Sequence, residues 1–443
     1  MPNVAVVGGG MMGLTVGLRL AQRGHTVRVY EGERKVGGLA SAGDIGQWSW
    51  DRFYHVILMS DVSLTGLLRQ IGLDDRLRWG TTRTGFYVDG QWISMSSALE
   101  FLRFPPLNLV DKARLGATIL MASQISDPLP LEKVGALEWL ERWSGRRTTE
   151  RIWAPLMRAK LGDNANDASA AFIWAIIARM YAARRTGLKR EMMGYVEGGY
   201  EVIVPALRRY AESAGVEVVT GSMVTSVRDD GDGAVITVDG ESPASFDSAV
   251  MTVSCPVVGR LCPQLTDAER QRLARVVYQG VVCPSWLLKR PLAGFYVTNI
   301  TDTWVPFTGV IETTALVDRA TFGGHTLVYL PRYLTQGDAM WNVSDEEISS
   351  EFFAALCRMV PGLTSVDIVA SRVARARDVL AVSTRNYSSD VMPALETSLP
   401  HVFIANSAQI AHGTLNVNET VALAESRALE VHSRLATRTA VPA

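Results

Sequence analysis

The sequence predicts an α/β fold that begins with a strand, a helix and a second, parallel strand. Val4 to Val7 form a short apolar run of β-branched character, typical of a buried strand, and the run stops at Gly8. From Leu14 onward apolar residues recur at helical spacing as far as Gly24, a residue suited to a helix C-terminus. A second apolar run follows and ends at Glu31. This strand–helix–strand order indicates a parallel sheet covered by helices.

Three glycines connect the first strand to the helix with the spacing G-x-G-x-x-G. Gly8 permits a tight turn, Gly10 lets the backbone approach a pyrophosphate, and Gly13 allows close packing of helix and strand. The helix N-terminus, which includes Met12, offers unpaired N–H groups to phosphates. The carboxylate of Glu31 can accept a hydrogen bond from a ribose hydroxyl, which favours FAD or NAD over NADP. We therefore expect this segment to bind a dinucleotide.

The continuation of the chain after Glu31 favours FAD over NAD. It contains Lys35, the doublet Gly37-Gly38, and Leu39. This stretch resembles the double-glycine motif of the amine oxidase, protoporphyrinogen oxidase and carotenoid desaturase superfamily, which also includes UDP-galactopyranose mutase. The resemblance implies that the doublet passes close to the pyrophosphate and ribityl chain of FAD. No cysteine lies near the last strand and the closing helix, so we expect the FAD to be bound non-covalently. Those families usually have arginine at both flanking positions, so Lys35 keeps a charge that Leu39 lacks.

The resemblance extends to two later segments. A glycine turn, a helix and two strands lead to Val224, whose backbone contacts adenine in the superfamily. A last strand ends at Asn406 and Ser407, and Asn418 is a good N-cap for the closing helix. The resemblance implies that Asn406 and Ser407 lie near the ribityl chain or the phosphates. It also implies that the helix dipole stabilises negative charge on the reduced flavin.

These segments predict a discontinuous FAD-binding domain and an inserted substrate domain. The FAD-binding domain, Rossmann-like and of the glutathione-reductase type, is assigned to three stretches: residues 1–84, 192–270 and 385–435. The substrate domain, a mixed sheet with helices, is assigned to residues 85–191 and 271–384. Residues 436–443 are expected to be a disordered tail.

The composition is that of an ordinary globular protein. A formal net charge of −1 gives no reason to expect a nucleic-acid partner. The four cysteines are scattered without metal-type spacing, so we expect no metal site and a cytoplasmic location with reduced thiols. No uninterrupted apolar run is long enough for a transmembrane helix. Nothing in the sequence indicates the oligomeric state.

Two residues outside the cofactor motifs are candidates for chemistry. His55 follows a strand-like segment whose counterpart in the superfamily returns beside the flavin ring; a hydrogen-bonded core histidine is the alternative. Glu312 lies in an apolar strand. If Glu312 faces inward, burial would raise its pKa and make it a candidate general base, whereas strand carboxylates more often face solvent.

Arg184 is the third catalytic candidate and belongs to a basic cluster that follows an apolar helix at 171–181. Such a helix is normally buried, with the cations in a solvated loop. It could instead line the site of an anionic substrate, with the cations binding phosphate. Peripheral contact with a membrane surface is the third interpretation.

The motifs predict an FAD-dependent oxidoreductase, whether oxidase, dehydrogenase or desaturase. It would move hydride from a C–H bond of a partly apolar small molecule to the flavin, in isoprenoid, secondary-metabolite or glycolipid biosynthesis. The alternative is a non-redox flavin-dependent isomerase of a nucleotide sugar, with Arg184, Arg185 and Arg190 gripping the pyrophosphate. A scaffold that binds FAD without catalysis is the third hypothesis.

Overall fold

Residues 2–184 and 192–439 are described by the computed structural model, which contains two main sheets. The strands, in chain order, are β1 (Asn3–Val7), β2 (Thr26–Glu31), β3 (Ala42–Ile45), β4 (Trp48–Asp51), β5 (Ile57–Leu58), β6 (Leu77–Thr81), β7 (Thr84–Val88), β8 (Gln91–Ser94), β9 (Met192–Val196), β10 (Val216–Thr220), β11 (Val224–Asp229), β12 (Ala234–Val238), β13 (Ala244–Phe246), β14 (Ser248–Met251), β15 (Tyr278–Leu288), β16 (Val297–Ile300), β17 (Gly309–Glu312), β18 (Thr326–Tyr329), β19 (Arg332–Leu334), β20 (Ile368–Ala381) and β21 (Val402–Ile404).

The α-helices lie between and around these strands. They are α1 (Met11–Ala21), α2 (Val62–Gln70), α3 (Ala98–Arg103), α4 (Leu109–Ala122), α5 (Leu129–Glu132), α6 (Ala136–Ser144), α7 (Arg146–Thr148), α8 (Ala154–Leu161), α9 (Ala170–Arg184), α10 (Tyr200–Ser213), α11 (Cys255–Leu261), α12 (Asp267–Ala274), α13 (Asp345–Met359), α14 (Tyr387–Asp390) and α15 (Val417–Thr439). Among the residues described, no helix has the length and apolar character needed to cross a bilayer.

The first sheet is parallel, with the strand order β10-β2-β1-β14-β21. Val4 and Val6 of β1 face α1, α10 and α15, while Ala5 and Val7 face the β11–β13 ribbon on the opposite side. Because both faces of the strand are covered, it is apolar without alternation, which is the pattern seen in the sequence. The predicted strand–helix–strand unit is confirmed.

The second sheet has eight strands along the path β19-β15-β18-β17-β16-β7-β8, with β20 paired to β15. One face packs against α13. The other face carries Tyr296 and Tyr329 toward β4 and the chain that follows it. The predicted hairpin is confirmed: β7 and β8 are joined at Asp89 and Gly90, whose φ angles are 51° and 75°.

Helix α9 belongs to a helical core that also includes α4, α6 and α8. Phe172, Ile173 and Ile177 are buried there, as one interpretation of the apolar helix predicted. The helix ends at Arg184, whose side chain lies outside the described part of the structure, as do residues 185–191. The role predicted for the basic cluster therefore remains a prediction.

Two expectations for the C-terminus are corrected. Helix α15 continues through Thr439, so residues 436–439 are helical; residues 440–443 lie outside the described ranges. Val421, Ala428 and Val431 form a buried stripe on α15 against α1, and the helix continues past the predicted end at residue 435. The N-cap of α15 is Asn416, whose side-chain oxygen accepts from Glu419 N–H at 3.0 Å, and not Asn418.

A buried carboxylate ties the helical core to the C-terminal segment. Glu132, at the end of α5, accepts from the backbone N–H and the hydroxyl of Ser388 at 3.0 and 2.6 Å. Its other polar neighbour is His412 Nε2, at 2.6 Å. These partners are more than 250 residues away in sequence, so the contact fixes how two distant parts of the chain meet.

We expect Glu132→Ala to lower the free energy of unfolding by about 2–3 kcal/mol, because it leaves buried donors without an acceptor. The midpoint of thermal unfolding, followed by circular dichroism, measures the effect. Glu141→Ala, which removes an exposed acid from the neighbouring α6, serves as the control and should change the midpoint little. Equal midpoints for the two variants would contradict the assignment.

Candidate active site

Gly8 and Gly13 bring α1 into direct contact with the end of β1. The φ angle of Gly8 is 109°, a conformation that residues with side chains rarely adopt. A Cβ atom at Gly13 would lie 1.8 Å from the carbonyl oxygen of Gly8. The first turn of α1 therefore starts against the strand with no room for a methyl group. Its free N–H groups are directed beyond the carboxyl end of the sheet.

The predicted glycine doublet joins this turn. The N–H of Gly37 donates to the carbonyl of Gly9 at 2.9 Å, and Gly10 and Gly37 form an isolated parallel bridge. A Cβ at Gly38 would lie 3.4 Å from the Cα of Gly10. Two bare backbone segments thus lie side by side, in a cradle that side chains would fill. These residues fit the diphosphate of a dinucleotide cofactor.

Glu31 stands where β2 ends, beside the same turn. One carboxylate oxygen accepts from Gly9 N–H and the other from Glu33 N–H, each at 2.9 Å. The Glu31 carbonyl accepts from Ser222 N–H at 2.9 Å, which places the start of β11, at Val224, next to the end of β2. Glu31, which was expected at the ribose, and the start of β11, which was expected at the adenine, therefore lie next to each other.

The remaining cofactor candidates have mixed surroundings. Lys35 is exposed and Leu39 is half-buried. The side chain of Asn406 donates to the Val253 carbonyl at 2.8 Å and accepts from Ala408 N–H at 3.1 Å, so it fastens two loops at the sheet edge. Asn418 accepts from Ser63 N–H at 3.0 Å and Leu64 N–H at 3.1 Å and caps α2. Both asparagine side chains are thus occupied by backbone groups of the protein, Asn406 at two loops and Asn418 at the start of α2.

His55 lies in a narrow cleft lined by the chain after β4, by β9, by the first turn of α10 and by the second sheet, together with Tyr54, Tyr200 and Tyr329. Its ring centroid is 4.5 Å from that of Tyr200, and its Nδ1 atom is 3.4 Å from Asp51 Oδ2. Within the described structure, this nitrogen has no hydrogen-bond partner of good geometry. His55 is therefore half-buried in the cleft, oriented by Asp51 and Tyr200.

Glu312 faces inward, as one hypothesis proposed, and burial raises the pKa of its carboxyl group. Its two oxygens accept from the backbone N–H groups of Leu292 and Gly294 at 3.1 and 2.8 Å. It thereby holds the turn before β16. Nothing in these contacts supports the role of general base.

Several polar residues of the cleft region were missed in the sequence. Asp51 accepts from Tyr200 N–H at 2.7 Å and faces His55, four residues later. Arg179 of α9 donates to both carboxylate oxygens of the buried Asp61, at 3.2 Å. The i, i+4 spacing of Asp51 and His55 was a usable signal. The partner of Arg179 could not be found from spacing, because it lies 118 residues away.

The fold and the glycine cradle define a dinucleotide-binding α/β protein with a second sheet beside the site. The chain belongs to the family described as flavin containing amine oxidoreductase, which matches residues 11–416. The resemblance found in the sequence is confirmed, and membership implies a flavin cofactor.

Individual relatives agree with this assignment. The chain is 25% identical over 298 residues to a Mycobacterium tuberculosis protein provisionally named flavin-containing monoamine oxidase AofH, a match covering 63% of each. It thus spans less than two thirds of that relative's length.

Two solved structures share the fold. A protein provisionally named protoporphyrinogen oxidase from Exiguobacterium sp. 255-15 has a TM-score of 0.77 at 17% identity, covering 97% of this chain and 98% of that one. Reduced UDP-galactopyranose mutase has a TM-score of 0.73 at 14% identity, covering 98% of this chain and 96% of that one.

We expect Gly13→Ala to reduce the flavin content of the purified protein severely and to lower its thermal midpoint. The added methyl group would overlap the Gly8 carbonyl and push α1 away from the cradle. Gly66→Ala in α2 is the matched control, because a Cβ there meets nothing within 4 Å. Flavin content is read from the visible spectrum. Full retention of flavin by Gly13→Ala would contradict the cradle.

We expect Glu312→Gln to change the rate of flavin reduction by less than about twofold, where loss of a general base would cost about 10²-fold or more. The amide can accept only one of the two backbone bonds, so stability should fall by about 1 kcal/mol. Anaerobic stopped-flow absorbance measures the rate once a reducing substrate is found. A hundredfold decrease with normal flavin content would restore Glu312 as a base.

Proposed function

We propose that the protein is an FAD-dependent oxidoreductase that removes hydride from a C–H bond of a partly apolar small molecule. The observation that carries this proposal is the pair of glycine loops, Gly8–Gly13 and Gly37–Gly38. A Cβ at Gly37 would lie 3.2 Å from Val204 of α10, the helix whose first turn lines the aromatic cleft. FAD, when bound, would supply the hydride acceptor. The family assignment supports the same chemistry.

We further infer a glutathione-reductase type of nucleotide-binding domain and a non-covalent FAD. The antiparallel ribbon β11–β13, inserted between two strands of the parallel sheet, supports the domain type. Burial raises the pKa of Cys255, the cysteine beside Asn406, so its thiol stays protonated. A neutral thiol is a poor nucleophile for attachment to a flavin.

The cleft residues position the substrate and exclude water. Burial raises the pKa of Tyr54, Tyr296 and Tyr329, so all three stay neutral and present rings and hydroxyl groups but no charge. Tyr296 donates to the His55 carbonyl at 3.1 Å and Tyr329 to the Asp51 carbonyl at 2.6 Å, which fixes the wall. A rigid aromatic wall suits a substrate with an apolar body.

The isomerase alternative lacks a specific observation in its favour. Its proposed pyrophosphate grip relies on the side chains of Arg184, Arg185 and Arg190, which lie outside the described part of the chain. The likeness to UDP-galactopyranose mutase extends to the fold. The oxidoreductase is therefore the better supported proposal.

An anaerobic absorbance titration of the purified holoprotein tests the proposal. We expect flavin bands, and bleaching of those bands by a substrate without added reductant. Chemistry that begins only after dithionite reduction, with the flavin still reduced at the end, would replace the oxidoreductase by the isomerase. Absence of flavin bands after reconstitution with FAD would overturn both proposals.

A further inference from the structure

Lys160 is a half-buried lysine of the substrate domain. It lies in the last turn of α8, whose end is anchored because the Ala159 carbonyl accepts from the Thr308 hydroxyl at 2.9 Å. Its ammonium nitrogen stands 5.6 Å from the ring centroid of Tyr333. Burial lowers the pKa of Lys160, and nearby Arg179 lowers it further. The side chain still has accessible surface, so it borders open space.

The charges around Lys160 are unbalanced. Arg179 is neutralised by Asp61 and donates a further bond to the Thr414 hydroxyl at 3.0 Å. Within residues 2–184 and 192–439, no carboxylate forms an ion pair with Lys160. The group of two cations and one anion therefore has one positive charge in excess. A partly buried charge without a counter-ion carries a desolvation cost, and a bound anion would offset that cost.

Tyr333, whose ring lies next to the ammonium group, also takes part in a hydroxyl pair that can donate a hydrogen bond. The hydroxyls of Tyr54 and Tyr333 are 2.9 Å apart and share one hydrogen bond. Each hydroxyl carries one hydrogen, so one hydrogen of the pair remains for another acceptor. Tyr54 also lines the cleft that contains His55, so the hydroxyl pair links Tyr333 to a residue of that cleft.

We propose that Lys160, with the Tyr54–Tyr333 hydroxyl pair, is a binding subsite for a carboxylate group of the substrate. One excess positive charge matches a singly charged carboxylate better than a phosphate dianion. The aromatic wall next to it takes the apolar body of the same molecule. This subsite refines the proposed function, on which it rests: the substrate is an organic acid oriented by its carboxylate.

Benzoate and its uncharged isostere benzamide are the probes for this subsite. Each is titrated into the holoprotein while the visible flavin spectrum and the thermal midpoint are recorded. We expect benzoate to bind the natural protein at least about tenfold more tightly than benzamide, and Lys160→Met to abolish this preference. Lys160→Arg keeps the positive charge and should retain most of the preference for benzoate. Lys133→Met, which removes an exposed lysine, is the control.

Two results would overturn the subsite. One is equal or undetectable binding of benzoate relative to benzamide by the flavin-loaded protein, and the other is an unchanged preference in Lys160→Met. If Lys160→Met does not fold, Tyr333→Phe takes its place. It should weaken the binding of benzoate by about fivefold and leave the binding of benzamide unchanged. The thermal midpoint responds to benzoate whether or not flavin is bound. Failure of the flavin proposal would therefore appear separately, as missing flavin bands.

Discussion

The contact on which the nucleotide-binding half depends is the approach of two stretches of bare backbone. Gly13 lets α1 begin against the Gly8 carbonyl, and Gly38 lets the following segment lie against Gly10. Because α1 also packs against α15 and α10, its position sets how these helices cover the parallel sheet. The same small volume provides the space and the unpaired N–H groups that a diphosphate needs. The fold and the cofactor site therefore both require that these glycine positions carry no side chain.

A second requirement joins the two sheets. The end of β4 lies between them, and Asp51 there accepts from the first turn of α10 through its carboxylate, at 2.7 Å from Tyr200 N. Arg372, on β20 of the second sheet, donates to the carbonyls of Gly43, Trp50 and Asp51. The backbone at the end of β4 is thus held by Arg372 of the second sheet, while the side chain of Asp51 holds the first turn of α10. His55, four residues on, takes its position in the cleft from this anchor.

Structural features that are determined by short stretches of sequence were predictable. The G-x-G-x-x-G turn, the Asp89-Gly90 hairpin and the acid at the end of β2 each follow from a few adjacent residues. Strand β20 was not among the predicted strands, because Arg372 and its neighbouring arginines interrupt the apolar pattern; Arg372 is turned inward by three backbone carbonyls. The cap of α15 was misplaced by two residues, since two asparagines suit the position equally well in sequence.

Ionisable residues show why a site is harder to predict than its fold. Glu312 is buried, as one hypothesis required, but backbone N–H groups occupy both of its oxygens. Lys160 drew no attention in the sequence, since lysine near the end of a helix is ordinary. In the structure both oxygens of Glu312 accept from backbone N–H groups, whereas no carboxylate of the described residues pairs with Lys160. Whether a buried ionisable group can react or bind a ligand depends on which hydrogen-bond or ion-pair partners the protein already gives it. Those partners come from segments far away in sequence.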